Sequence, residues 1–517
     1  MVAVTLLYRK GYFLQRIDAL GRQREEPVAW TFDQWLQPTP ARAEIEIEGR
    51  RVALRAWRLD VRGVTGGVVP VYLLDTDLPE NAAADRALSD SLYGGDERYR
   101  LCQEILLGIG GVRILRSIGH GELDFFHMNE GHSALLALEL CREQRARGLS
   151  LEEAVARVRR RCVFTTHTPV AAGHDRFPVA LVEAVLGAGM VRALGEVHGL
   201  HEQTLHMTRL GLELSHYVNA VARRHGEVSR SLFPEYPIDS ITNGVHSVFW
   251  TCPAFRELYD RYLPDWRRDS FAFRLATMIP LDAVRRAHLE AKRKLVQRVN
   301  ETAGAGFEAE VLTLAFARRA TAYKRPALLL HDPGRLRRIT IEKGPLQIVF
   351  AGKSHPRDEA GKDLIQKILA LQNGLRPEIK IAYLPNYDME VAADLVAGVD
   401  VWVNNPRPPL EASGTSGMKA AHNGVPSLSI LDGWWWEGWM QGATGWAIGS
   451  RDYRSSATRA DEEDAFDLYW ALEEEVMPLY YRNPARWAAL MLSTIAINAS
   501  FFNTQRMVLE YVAKAYR

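Results

Sequence analysis

The sequence predicts an α/β protein of two domains, the second built on a doubly wound parallel sheet. Three observations carry this. The chain has 517 residues, too many for one compact core. Its second half alternates apolar runs with helical segments, the pattern of parallel strands covered on both faces. And the stretch EASGTSGMKAAHNG (411–424) falls just past one of those runs, where an open α/β sheet places its ligands.

Composition narrows the classes. Hydrophobic content is 47% and charged content 25%, ordinary for a globular chain. Lys and Arg total 64 against 63 Asp and Glu, so the net charge of +1 gives no broad field for nucleic acid or an anionic membrane. The four cysteines (Cys102, Cys141, Cys162, Cys252) lack C-x-x-C spacing, which fits a reduced cytoplasmic protein without a zinc or disulfide framework. No apolar run is long enough to cross a bilayer. The opening MVAVTLLYRKGYF has no basic n-region and no small-residue cleavage site, and VAVTLLY reads as a buried strand. The chain is therefore expected to begin in the middle of a fold.

The elements follow in order. Residues 42–59 alternate around Glu48-Gly49-Arg50, a hairpin signal, and VVPVYLLD (68–75) is another strand. A helical pattern runs from about Asp96 to Ser117. Then come the strand LDFFHMN (123–129), a helix from Gly131 to about Arg147, a second helix near 150–160 and the strand CVFTTH (162–167). Later strands are VLTLAFA (311–317), LQIVFAG (346–352), IKIAYLP (379–385), VDVWVNN (399–405) and PSLSI (426–430). The tail holds helices near 462–480, 484–498 and 504–516. In the last, Met507, Val508, Tyr511, Val512 and Ala515 form an apolar stripe behind the cap candidates Asn503-Thr504. The boundary is placed near ITNGVHSVFW (241–250), dividing the chain into 1–247 and 248–517, with the C-terminal helices expected to pack back on the first part.

Two stretches stand out chemically. In 411–424, Gly414, Thr415, Ser416 and Gly417 open a helix at a strand C-terminus, and a phosphate is the natural guest of free N–H groups there. It is not a Walker loop, because Lys419 follows Gly417 by two residues and precedes Ala420. A lysine one turn inside such a helix suits a covalent link to pyridoxal phosphate; a solvated lysine on a first turn is the plainer reading of the spacing, which leaves both open. In ARRATAYKRP (317–326), Arg318, Arg319, Lys324 and Arg325 gather past another strand. They fit paired phosphates or a solvated basic loop.

The remaining candidates are weaker. His132 in NEGHS (129–133) and His167 in TTHTP (165–169) end strands of the first half, without metal-ligand spacing. A structural histidine is the plainer reading of each. DGWWWEGW (432–439) reads as a loop packed under the sheet edge, with sugar stacking the other reading. GIGG (108–111) lies inside a helical pattern, so it is poor evidence for a dinucleotide site. No carboxylate pair of the glycosidase type is found.

Six separated stretches, EASGTSGMK, ARRATAYKRP, YLPNYDMEVAADLV, THTPVAAGHDRFP, NEGHSALLALE and ITNGVHSVFW, together resemble the α-glucan (glycogen, starch, maltodextrin) phosphorylases in their shorter bacterial and archaeal form. The resemblance runs the length of the chain in the family's order. It implies two Rossmann-like domains facing a deep cleft (the GT-B arrangement), with pyridoxal phosphate in the second. Lys419 then matches the lysine that carries the cofactor. Thr415, Ser416 and Arg318 match positions holding its phosphate, and Tyr387 matches a tyrosine lining it. Arg319 and Lys324 match positions holding the substrate phosphate. Glu411, Ser413, Gly414, Asn243 and His167 match positions that hydrogen-bond glucose, with His132 beside them.

The implied reaction is reversible phosphorolysis of the terminal glucose of an α-1,4-glucan by inorganic phosphate, giving α-glucose 1-phosphate with retention. No metal is implied, and homo-oligomerisation is left open. The family also carries an N-terminal segment with a glycine-rich, phosphate-binding loop that has no counterpart here, because MVAVTLLY matches the strand just after it. The first domain is therefore expected to be truncated, either by a gene model starting at an internal methionine or in a shortened homologue. Thr321 and Ala322 replace a more polar pair of the longer enzymes. Nothing resembles the phosphorylation and nucleotide-effector sites of animal enzymes. The rival expectations are a sugar-nucleotide glucosyltransferase of the same architecture and an inactive glucan-binding homologue.

Overall fold

The computed structural model describes residues 1–28, 30–92, 94–375, 378–452 and 458–517, with residue 373 described by its backbone only. The first half opens with β1 (Ala3–Leu6), a short ribbon of β2 (Leu14–Ile17) and β3 (Gln23–Glu26), then β4 (Gln37–Ile47), β5 (Arg50–Arg62) and β6 (Val68–Asp75). The hairpin between β4 and β5 turns at Glu48 and Gly49, both left-handed, with φ of 52° and 72°. Its alternation sends Ile45, Ile47, Val52 and Leu54 into the core. These strands form a four-stranded sheet in the order β1-β6-β5-β4. β1 is paired on one side only, with β6, and is largely half-exposed. The expectation of a buried strand is thus corrected: VAVTLLY supplies a largely half-exposed edge strand.

A second four-stranded sheet is parallel throughout. It holds β7 (Phe126–Asn129), β8 (Cys162–Thr166), β12 (Tyr217–Ala220) and β13 (Asp239–Ser240) in the order β13-β12-β8-β7. β9 (Arg176–Pro178), β10 (Leu200–His201) and β11 (Thr204–His206) make a small antiparallel sheet beside it. One apolar core runs from Leu6 and Val52 to Met128 and Phe164, joining the two four-stranded sheets. The helical pattern 96–117 is realised as Glu97–Ile105 and Gly111–Ile118 around a π-helical stretch, Leu106–Gly110. Within it, a Cβ on Gly108 would come to 2.8 Å of Leu135, so this glycine serves helix packing.

The second half contains a six-stranded, all-parallel sheet: β14 (Leu312–Ala317), β15 (Leu346–Ala351), β16 (Ile379–Leu384), β17 (Val401–Asn404), β18 (Ser427–Ile430) and β19 (Gly445–Ile448). The order is β16-β15-β14-β17-β18-β19, the doubly wound order, with its direction reversing between β14 and β17. Apolar clusters cover both faces, which is why β14 and β15 read as hydrophobic runs interrupted only by Thr313 and Gln347.

The two halves touch in several places. Asn503 caps the last helix (Thr504–Lys514) by accepting from the Arg506 N–H at 2.9 Å. Tyr511 of that helix meets Thr165 Oγ1 at 3.2 Å and Asn219 Nδ2 at 3.0 Å, both on the parallel sheet of the first half. Its expected apolar stripe is narrower than read. Met507, Tyr511 and Ala515 face the first half, while Val508 and Val512 lie one step around the helix and are exposed. In the other direction, the β2–β3 ribbon docks on the six-stranded sheet, with Gln15 Nε2 donating to Gly352 O at 2.8 Å.

Candidate active site

The site forms where the strand order reverses. β14 ends at Ala317 and hands over to Arg318; β17 ends at Asn404 and leads into a loop that reaches Glu411. Arg318 donates to Asn404 Oδ1 and to Glu411 Oε2. Lys324, at the end of a 3₁₀ turn (Ala322–Lys324), donates to the same Glu411 oxygen and lies 4.6 Å from the centroid of the Tyr323 ring. One buried carboxylate thus serves two cations. Burial alone would raise the Glu411 carboxyl, but the attraction of Arg318 and Lys324 wins and holds it at about 2. Lys324 moves the other way: burial, then repulsion by Arg318, push it down to about 7 despite Glu411.

The rest of ARRATAYKRP divides. Arg319 is exposed and forms no ion pair among the described residues, yet its field reaches Lys324 and Tyr323. Arg325 leaves the site altogether. It is left-handed (φ 49°) and donates to Asn405 O and Pro406 O while pairing with Asp461 and Asp464.

Lys419 sits in a six-residue helix, Ser416–Ala421, that begins after Thr415 without a side-chain cap. Six residues give little macrodipole, so the preference for an anion here comes from the cationic side chains. The helix is pinned from below. A Cβ on Gly417 would come to 2.6 Å of the Trp434 ring, and Ser416 Oγ accepts from Trp402 Nε1 at 3.0 Å. The Lys419 ammonium lies 3.9 Å from the centroid of Trp250 and has no carboxylate partner among the described residues. Burial, then Arg318, push it down to about 8. Tyr387 packs against the apolar cluster under this corner, and burial raises its hydroxyl to about 12.

Beside these cations in the chain, buried polar atoms lack a hydrogen-bond partner among the described residues: Ser413 Oγ, Thr321 Oγ1 and both amide atoms of Asn405. Buried orphans of this kind call for a partner, and a ligand at this corner would supply one. Asp432, just past β18, accepts from the Glu411 N–H at 2.9 Å, and burial pushes its carboxyl up to about 7. At neutral pH the corner therefore carries more positive than negative charge.

The candidates of the first half gather elsewhere, at the exits of β7 and β8. His167 Nε2 meets Asn129 Oδ1 at 2.6 Å, and the His167 N–H donates to Glu130 Oε2 at 2.7 Å. Burial lowers the pKa of both His167 and His132. Asn243 lies on the connecting loop, where its carbonyl accepts from Arg506 at 3.0 Å. Among the described residues no hydrogen bond or ion pair joins His132, His167 or Asn243 to the cations. Glu437, five residues past Asp432, bridges the halves: it accepts from Thr242 Oγ1 at 2.8 Å and the Arg223 N–H at 3.0 Å.

DGWWWEGW is not under the sheet edge, which belongs to β19. Trp434 and Trp435 are buried between the lysine helix and the C-terminal segment, with Trp434 edge-on to Phe502 at 4.8 Å. Sequence reasoning passed over Asn404, Asn405, Asp432, Trp250 and Glu130, although Asn404 ends β17, Asn405 follows it and Asp432 lies two residues past β18. No group of three metal-ligating side chains occurs among the described residues, and none of their helices is long and apolar enough to cross a membrane.

Strand order and charge define an α/β protein whose sheet reversal carries a surplus of buried positive charge. Comparison with known proteins makes this specific. A carbohydrate phosphorylase family model matches residues 188–437. The whole chain is 40% identical to the maltodextrin phosphorylase of Thermococcus litoralis and 38% identical to the glycogen phosphorylase of Mycobacterium tuberculosis, covering 66% of each. It is 35% identical to the glycogen phosphorylase of Aquifex aeolicus, covering 80% of that protein. The chain belongs to the carbohydrate phosphorylase family, and it spans 66% of the length of the first two relatives.

Proposed function

We propose that this chain carries out reversible phosphorolysis of an α-1,4-glucan, passing the terminal glucose to inorganic phosphate as α-glucose 1-phosphate with retention. The observation that carries the reading is the cation corner: Arg318 and Lys324 share one ionised carboxylate, Glu411, while Lys419 feels the charge of Arg318 and the exposed Arg319 that of Lys324. A reaction that brings two phosphates together needs this surplus, and water exclusion makes each charge count for more than it would in bulk solvent.

In this reading Arg319 and Lys324 hold the substrate phosphate. Glu411, Ser413 and Gly414, with His167 and Asn243 from the first half, meet the glucose hydroxyls, and His132 stands beside them. Pyridoxal phosphate fits the residues present: a lysine without a carboxylate partner, depressed to about 8, adjoins Thr415, Ser416, Arg318 and Tyr387, with the orphaned Ser413 hydroxyl nearby. When bound, it supplies a fixed second phosphate as acid/base partner to the substrate phosphate. The reading places residues 1–247 and 248–517 as two Rossmann-like lobes across a cleft. The doubly wound order of the second sheet and the contacts of Glu437 with Thr242 and Arg223 support this.

The test is release of glucose 1-phosphate from maltoheptaose and inorganic phosphate by the chain supplied with pyridoxal phosphate. Release that requires all three supports the reading. Binding of maltoheptaose without release points to a glucan-binding protein, and glucosyl transfer from a sugar nucleotide points to a glucosyltransferase.

A further inference from the structure

We propose that Glu130 is a positioning residue, whose carboxylate fixes the backbone at His167 so that, with Asn129 on the ring, the imidazole keeps the orientation that meets the sugar. The inference rests on the phosphorylase reading, in which His167 touches a glucose hydroxyl.

The first observation is conformational. Nine non-glycine residues among those described have positive φ, and eight of them lie between 48° and 60°, in the ordinary left-handed well. Glu130 stands apart at φ 91° and ψ 167°, a region that belongs to glycine. Capping a turn does not require this. Asp96, Ser150, Asp332, Asp388 and Asn503 all cap helices in this chain with φ between −59° and −130°. A strained side-chain residue is retained where glycine would sit without strain, so the side chain itself is wanted there.

The second observation is what that side chain does. Glu130 Oε2 accepts from the His167 N–H at 2.7 Å and from Thr168 Oγ1 at 2.9 Å, while Oε1 accepts from the Gly131 N–H at 2.9 Å. It therefore ties the exit of β8 to the exit of β7. The preceding residue completes the grip, with Asn129 Oδ1 at 2.6 Å from His167 Nε2. An amide oxygen only accepts, so this geometry assigns the ring proton to Nε2 and leaves Nδ1 as an acceptor for a hydroxyl. Backbone and ring of His167 are thus held by adjacent residues, and the unusual φ at 130 is what lets both reach it.

Glu130→Gly separates this role from a merely structural one, because it relieves the strain and removes the carboxylate together. The expected result is a melting temperature at or above that of the wild type, with kcat/KM for maltoheptaose at least tenfold lower. Glu130→Gln, which keeps one acceptor oxygen, should recover part of the loss. The double variant Glu130→Gly/His167→Ala should be no more than twofold worse than His167→Ala alone, since both changes remove one contact. Wild-type-like kinetics in Glu130→Gly would overturn the inference, as would losses that multiply in the double variant. If Glu130→Gly does not fold, the cycle is run with Glu130→Gln under the same criteria. A wild type that releases no glucose 1-phosphate removes the phosphorylase reading and this inference together; an active wild type with multiplying losses removes only the inference.

Discussion

Replacing Lys324 by methionine tests the cation corner at its most sensitive point. Lys324 is 4% exposed and its ammonium rests on Glu411, where it also faces Arg318. Methionine keeps much of the apolar stem, so a cavity contributes little, and Glu411 keeps Arg318 as a partner. What disappears is one charge aimed at the incoming phosphate from a dry wall. Removing a single preorganised donor of that kind costs about 2.7–4 kcal/mol, or about 10²–10³ in rate. The residues assigned to glucose remain in place. Initial rates of glucose 1-phosphate release at varied phosphate and saturating maltoheptaose should therefore show kcat/KM for phosphate down by about that factor. Maltoheptaose affinity, measured by calorimetry, should change by less than about threefold, within 0.7 kcal/mol or so on the scale where tenfold is 1.4. Equal loss of phosphate use and glucan binding would refute the reasoning, and so would an unimpaired enzyme, because either result means that the charge at 324 does not face the phosphate.

Three further outcomes are expected. With Lys324 depressed to about 7, rising pH discharges it in the free enzyme, so kcat/KM for phosphate should fall above about pH 7. Lys324→Arg keeps its charge and should remove that share of the decline while leaving the contribution of phosphate's own ionisation; an unchanged profile would place the titration elsewhere. Incorporation of pyridoxal phosphate, followed by absorbance, needs the neutral amine of Lys419. Its rate should rise with pH to a midpoint near 8 rather than at the 10.5 of a free lysine, and Lys419→Ala should not be labelled on borohydride reduction. At the opposite end of the six-stranded sheet, Asp400 is buried and accepts from Lys292, from His288 at 2.9 Å and from the Thr313 N–H at 2.7 Å. Lys292→Met should cost about 3–5 kcal/mol of stability in urea unfolding; a loss below about 1 kcal/mol would mean that His288 and the Thr313 N–H suffice.

The limits of reading this sequence follow from the range of the interactions concerned. β14 to β18 were legible because each is an apolar run, and local composition alone produces such a run when a strand is covered on both faces. β12 and β13 were missed, because YVNA and DS are too short and too polar to show a period, and their strand character comes from pairing with β8 and with each other. The same division runs through the site. Arg318, Lys324 and Lys419 could be proposed from their places after strands, but proximity in sequence also implicated Arg325, which the fold turns toward Asp461 and Asp464, 136 and 139 residues away. Nor does sequence show that Glu411 is the counter-charge of Arg318 and Lys324, because that pairing exists only once β14 and β17 lie side by side. Residue type and strand position can nominate a charge for a site. Which carboxylate neutralises it, and therefore how much charge is left to attract a phosphate, is decided by strand order, and here that order sets the exits of β14 and β17 against each other.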